Sequence, residues 1–120
     1  MKAVQLGPLK LWPPVVLAPM AGVTDFPFRD LCRRALAAGL ESGEADDDVV
    51  PGLFVSEMIT ARPLVEGDRK TARLASFGPD ERPRSLQLYG VDPDYVGRAV
   101  ERLVGEGLVE HIDMNFGCPV

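Results

Sequence analysis

The tripeptide Asp92-Pro93-Asp94 constrains the fold more than any other stretch of the chain, because it dictates where a helix begins. An aspartate can accept bonds from the first free N–H groups, and a proline suits the first helical position, where no N–H is needed. A second aspartate in the first turn then meets the positive end of the helix dipole. Apolar residues follow at helical spacing, Val96, Ala99, Val100, Leu103 and Val104, until Gly105 and Gly107 weaken the end. On either side lie short apolar runs of strand length, Ser85 to Tyr89 and His111 to Phe116. A strand, a helix and a strand with short connections make the repeating unit of a parallel sheet.

The same rhythm runs through the upstream sequence. Val15 to Ala18 is a β-branched, apolar run closed by Pro19, the pattern of a strand buried on both faces. After Gly22, Thr24 and Asp25 can cap a helix that carries Phe28, Leu31, Cys32, Ala35 and Leu36 on one face, with Gly39 as its stop. Glu41 to Pro51, with Glu41, Glu44, Asp46, Asp47 and Asp48, reads as a solvated loop or insertion with no particular role. Leu53 to Met58 is the second strand, followed by a weaker helical segment from Pro63 to Ser76 and a turn-rich stretch from Gly78 to Pro83. The order is strand, helix, strand, helix, strand, helix, strand, an α/β fold that is either doubly wound or a barrel. One domain is expected over residues 1–120.

Composition narrows the function. An apolar content of 46% and a charged content of 26% describe an ordinary folded domain. Neither a long apolar run nor a basic flank before an apolar stretch supports a membrane span or a signal peptide, so the expected location is the cytoplasm. Cys32 and Cys118 are far apart and in dissimilar contexts, which argues against a disulfide framework and a cysteine-based zinc site; no metal is expected. A formal net charge of −5 gives no general attraction to nucleic acid, so any RNA-binding surface must be local.

In a parallel sheet covered on both faces, polar residues within strands are the informative ones. Glu57, Gln87, Asp113 and Asn115 are such residues. Alternation places Asp113 and Asn115 on one face, with Ile112, Met114 and Phe116 on the other against the helices; Leu86 and Leu88 flank Gln87 in the same way. In a barrel this gathers Glu57, Gln87 and Asn115 at the C-terminal mouth, where barrel enzymes keep their chemistry. Glu57 and Asp113 read equally well as buried polar groups bonded to one another. Gly117 and Cys118 follow, and Pro119 ends the strand, so the thiol is offered to the mouth, where it can be acid, nucleophile, ligand or merely structural.

Four motifs stand in order along the chain: Ala18-Pro19-Met20-Ala21-Gly22-Val23-Thr24-Asp25 with Pro27-Phe28-Arg29, Ser56-Glu57-Met58, Gln87-Leu88-Tyr89-Gly90, and Ile112-Asp113-Met114-Asn115-Phe116-Gly117-Cys118-Pro119. Together they resemble the tRNA-dihydrouridine synthases of bacterial type. The resemblance implies the N-terminal half of a TIM (β/α)8 barrel with about four parallel strands, binding FMN and followed in the family by a helical domain that grips tRNA. It also implies reduction of the C5–C6 double bond of a tRNA uridine, with NADPH as reductant. By position in the motifs, Pro19, Met20 and Ala21 pack under the flavin, Gln87 bonds its polar edge, Asn115 faces the uracil and Cys118 donates the proton. A flavin on one side of the base and an acid on the other is what hydride and proton delivery to adjacent carbons requires.

A complete barrel takes roughly 250 residues, so the chain is expected to be truncated after its fourth strand, without the helical domain, and to be inactive alone. The oligomeric state is left open. Another FMN-dependent pyrimidine oxidoreductase, or a truncated product without catalysis, are the rival readings. Among other residues, Cys32 reads as a buried helix-face thiol and His111 as structural at the barrel bottom. Trp12 reads as packing for the N-terminal arm. Arg62, Arg69 and Lys70 are placed to touch RNA phosphates, although a solvated helix surface explains them as well.

Overall fold

Gly7, with φ +55°, opens a two-residue turn that folds the first residues into a hairpin of β1 (Val4–Leu6) and β2 (Leu9–Leu11). The computed structural model describes residues 2–40 and 46–119. After the hairpin come β3 (Val16–Leu17), α1 (Phe26–Gly39), β4 (Leu53–Thr60), α2 (Ala61–Glu66), α3 (Arg69–Leu74), β5 (Ser85–Tyr89), α4 (Pro93–Gly105) and β6 (His111–Met114). The hairpin is an addition to the sequence-based expectation. Its β2 continues into the body of the protein, where Val50 N–H donates to the Lys10 carbonyl (2.7 Å) and Trp12 N–H donates to the Val50 carbonyl (3.0 Å).

The main sheet has the order β3-β4-β5-β6, with every pair parallel. Each strand is added beside its predecessor in one direction. A doubly wound sheet reverses its strand order at a switch point, whereas consecutive addition is barrel winding. The fold is therefore α/β, in keeping with the N-terminal part of a TIM barrel.

The outer side of the sheet is sealed by α2 and α4. Ile59, Leu86 and Leu88 from the strands meet Ala61 and Leu64 of α2 and Ala99 and Leu103 of α4, with Ile112 and Met114 packed against them. The expected cap of α4 is present: the Asp92 carboxylate accepts from Asp94 N–H at 2.9 Å, and Pro93 opens the helix. The Pro63-to-Ser76 segment is two short helices, because Gly67 (φ +80°) ends α2 in a conformation open to glycine and Asp68 caps α3.

Four sequence-based expectations need correction. Val15 and Val16 are exposed, at 44% and 56%, since β3 has a partner on one side only among the described residues. In α1 the inward face is Arg29, Cys32, Arg33 and Leu36, while Leu31 and Ala35 point to solvent. A buried arginine rotates the helix away from its purely apolar stripe. Val104 of α4 is likewise exposed, and Phe116, expected against the helices, is 91% exposed because β6 ends at Met114. Of the acidic loop, residues 41–45 lie outside the described residues. Asp46 and Asp48 are exposed and form ion pairs with Lys10 at 3.6 and 3.0 Å.

Candidate functional site

Register decides which polar side chains meet. Between β4 and β5, Val55 pairs with Ser85 and Met58 with Gln87, so three steps on β4 oppose two on β5. This irregularity brings Met58 level with Gln87, and Gln87 in turn pairs with Asp113. Gln87 Nε2 donates to Asp113 Oδ2 at 2.7 Å, and Asn115 Nδ2 approaches both Gln87 Oε1 and Met58 Sδ at 3.4 Å. The three polar residues singled out on β5 and around β6 thus form one row across the open face of the sheet. Asn115 lies one residue beyond β6, tied in by its backbone N–H to the Leu88 carbonyl (2.9 Å).

Beyond Asn115 the chain turns sharply. Asn115 Oδ1 accepts from the N–H groups of Gly117 (2.9 Å) and Cys118 (3.1 Å), so a single side chain organises the backbone that carries the thiol. Cys118 is free and half-buried. Asn115 therefore faces two ways, with its amide nitrogen toward Gln87 and its oxygen toward the cysteine turn.

Glu57 stays at the strand tips but does not join the row of Gln87 and Asn115. It is buried at 7% exposure, and its Oε1 accepts from Gly22 N–H in the loop between β3 and α1. Thr24, fully buried, supplies a second tie: Met20 N–H donates to its Oγ1 at 3.0 Å, and its own N–H donates to the Met20 carbonyl at 3.0 Å. Between them these contacts fix the loop that presents Pro19, Met20 and Ala21. Met20 itself is 39% exposed at the C-terminal end of β3.

Sequence reading did not single out the support beneath this loop. Arg29 and Glu81 form an ion pair at 0% and 1% side-chain exposure, with Arg29 Nε to Glu81 Oε1 at 2.7 Å. Arg29 also donates to the Thr24 carbonyl (2.8 Å) and the Ser76 carbonyl (3.1 Å), and Gly78 N–H donates to Glu81 Oε2 (3.1 Å). The Arg29 guanidinium lies over the Phe77 ring at 5.0 Å. The available signal was the spacing Arg29, Cys32, Arg33, Leu36, which marks an inward helical face headed by a charge. His111 sits at the start of β6 with Nδ1 2.8 Å from Ser85 Oγ, at the opposite end of the strands from Asn115.

A polar row and a free thiol at the C-terminal ends of parallel, consecutively wound strands occupy the place where barrel proteins of the TIM class carry their functional sites. Comparison with known proteins narrows the class. The family model described as "Dihydrouridine synthase (Dus)" matches residues 16–120. A "Probable tRNA-dihydrouridine synthase" of Mycobacterium tuberculosis is 53% identical over 118 residues, covering 98% of this chain and 28% of the relative. That of Mycobacterium leprae is 46% identical over 119 residues, covering 88% of the chain and 30% of the relative. A "tRNA-dihydrouridine synthase B" of Pseudomonas aeruginosa is 43% identical over 120 residues, covering 99% of the chain and 31% of the relative. The chain belongs to the dihydrouridine synthase family, and it spans under a third of the length of these relatives.

The residues present suit part of a flavin and pyrimidine site. Carboxamides both donate and accept, and the imide edges of an isoalloxazine and of uracil alternate carbonyl and N–H groups. Gln87 and Asn115 place two such carboxamides side by side, with the backbone-fixed Met20 loop at the end of β3.

Proposed function

We propose that the protein carrying this chain is an FMN-dependent tRNA-dihydrouridine synthase that uses NADPH to reduce the C5–C6 double bond of a uridine. The observation that carries this reading is the Gln87–Asn115–Cys118 arrangement at the strand tips. Two carboxamides can hold the edges of flat heterocycles there, and a thiol stands on a turn that one of them organises. The chemistry that FMN supplies when bound is delivery of hydride to C6 of the base.

Pro19, Met20 and Ala21, kept in shape by Glu57 and Thr24, would hold the isoalloxazine. Gln87, oriented by Asp113, would bond its polar edge. Asn115 orients the uracil, which must leave any stack to enter such a site. Cys118 gives its Sγ proton to C5 as the C5–C6 double bond is lost, and the thiolate is then reprotonated from solvent. Such general acid catalysis contributes roughly 100- to 10,000-fold.

The test is NADPH-driven formation of dihydrouridine in unmodified tRNA by the whole protein and by its Cys118→Ala variant. The expected result is a rate about 100-fold or more lower for the variant, with the flavin absorption band retained. Reduction of free pyrimidines with no reaction on tRNA would instead establish a different pyrimidine oxidoreductase.

A further inference from the structure

A groove of about 500 Å³ opens at the C-terminal ends of β4 and β5, beside the polar row. Its walls are mainly apolar and aromatic, with Met58, Ala61, Pro63, Tyr89, Val91 and Tyr95 among them. Met58 belongs to both places, since its sulfur lies 3.4 Å from Asn115 Nδ2. The groove is therefore one side chain away from the residue assigned to the target base.

Its rim is ordered by charge. Glu66 accepts from Tyr95 Oη at 3.0 Å and from Arg62 Nε at 2.9 Å, which fixes both side chains against α2. The guanidiniums of Arg62 and Arg98 stand 5.2 and 5.3 Å from the Tyr95 ring centroid. Asp92, also at the groove, has its carboxylate engaged in capping α4. An apolar slot of this size, lined by Tyr95 and Arg62 and with the Arg98 guanidinium beside it over the Tyr95 ring, complements a nucleobase with its attached phosphate.

We infer that this groove holds the nucleobase adjoining the target uridine in the RNA strand, with Arg62 and Arg98 at the neighbouring phosphate. The inference rests on the reading that the protein acts on tRNA uridine. Removing one base from a stack strips its neighbour of a stacking partner, and the groove restores an apolar surface to that neighbour. Its residues act on RNA binding and leave the reduction step alone.

The experiment uses the whole protein with FMN and compares unmodified tRNA with tRNA abasic at the position beside the target. Arg98→Ala and Tyr95→Leu are expected to raise KM about tenfold while kcat stays within about twofold, and Tyr95→Phe to behave as the parent. The abasic tRNA should raise the parent's KM by a similar factor and add nothing to that of Tyr95→Leu. Arg98 is exposed and stands over the Tyr95 ring, so its variant reads the charge beside the groove without risk to folding. Unchanged KM in both variants, or equal penalties from the abasic tRNA in parent and Tyr95→Leu, overturns the inference while the enzymatic reading stands. If the parent reduces no tRNA uridine, that reading fails. The inference, which concerns the neighbour of a target uridine, is then overturned with it.

Discussion

Among the described residues the Arg29–Glu81 pair is the most buried ionic contact, and its bonds tie together two segments distant in sequence, residues 24–29 and 76–81. Taking two charges out of water is costly, and the cost is offset here because the guanidinium is bonded along both its edges and stacked on Phe77. Removing one partner strands the other. Glu81→Leu is therefore expected to lower unfolding stability by about 3–5 kcal/mol, whereas Arg29→Met combined with Glu81→Leu should recover much of that loss. Urea denaturation of the two variants beside the parent checks both numbers. At Asn115 a subtler substitution separates two contacts. Asn115→Asp keeps an acceptor for the N–H groups of Gly117 and Cys118 but loses the donor toward Gln87 and Met58, whereas Asn115→Ala loses both. Under the proposed role, Asn115→Ala should slow dihydrouridine formation more than Asn115→Asp, measured at saturating tRNA.

At the scale of elements, local chemistry accounts for what is seen most directly where caps are concerned. Asp68 accepts from both the N–H and the hydroxyl of Thr71 at 2.8 Å, and these bonds hold its carboxyl below the ordinary aspartate range. A carboxylate with a depressed folded value adds stability above the unfolded pKa, and that stability is lost as pH falls through the folded value. Asp68→Asn is thus expected to lower stability at neutral pH and to flatten the profile on the acid side, so that variant and parent converge as pH falls below about 4. Thermal unfolding across that range is the measurement. The Asp25 cap, the strand runs and the Asp92-Pro93 helix start were legible in the sequence because each depends on a few adjacent residues, whereas the Asp68 cap, inside a segment expected as one weak helix, was not. The β4 irregularity was not, and with it went the true neighbour of Gln87: alternation counted from sequence puts Glu57 inward, while the observed register gives that place to Met58 and sends Glu57 to Gly22. The inward face of α1 was missed for a related reason. Its amphipathic pattern was read from Leu31 and Ala35, yet the partner that pulls Arg29 inside is 52 residues away.

For the whole molecule, the decisive feature is a parallel sheet whose two outer strands each have one partner among the described residues. β3 leaves Val16 at 56% exposure, and the chain just past β6 carries Phe116 at 91%. Unpaired strand edges beside exposed apolar side chains are templates for pairing with another chain. The row formed by Gln87, Asp113 and Asn115 adds a polar stripe to the same open side, which limits how an apolar partner can seat there. Association through the strand edges should therefore be favoured over face-to-face stacking. The 120-residue chain on its own is expected to sediment as species whose size grows with concentration. Phe116→Glu should shift that distribution toward the monomer, because a charge beside an open strand edge opposes pairing. Val104→Glu, on the exposed side of α4 away from the edges, should leave it unchanged. Equal effects of the two substitutions would mean that general surface hydrophobicity governs association, and the barrel-type edge would then have no special part in it.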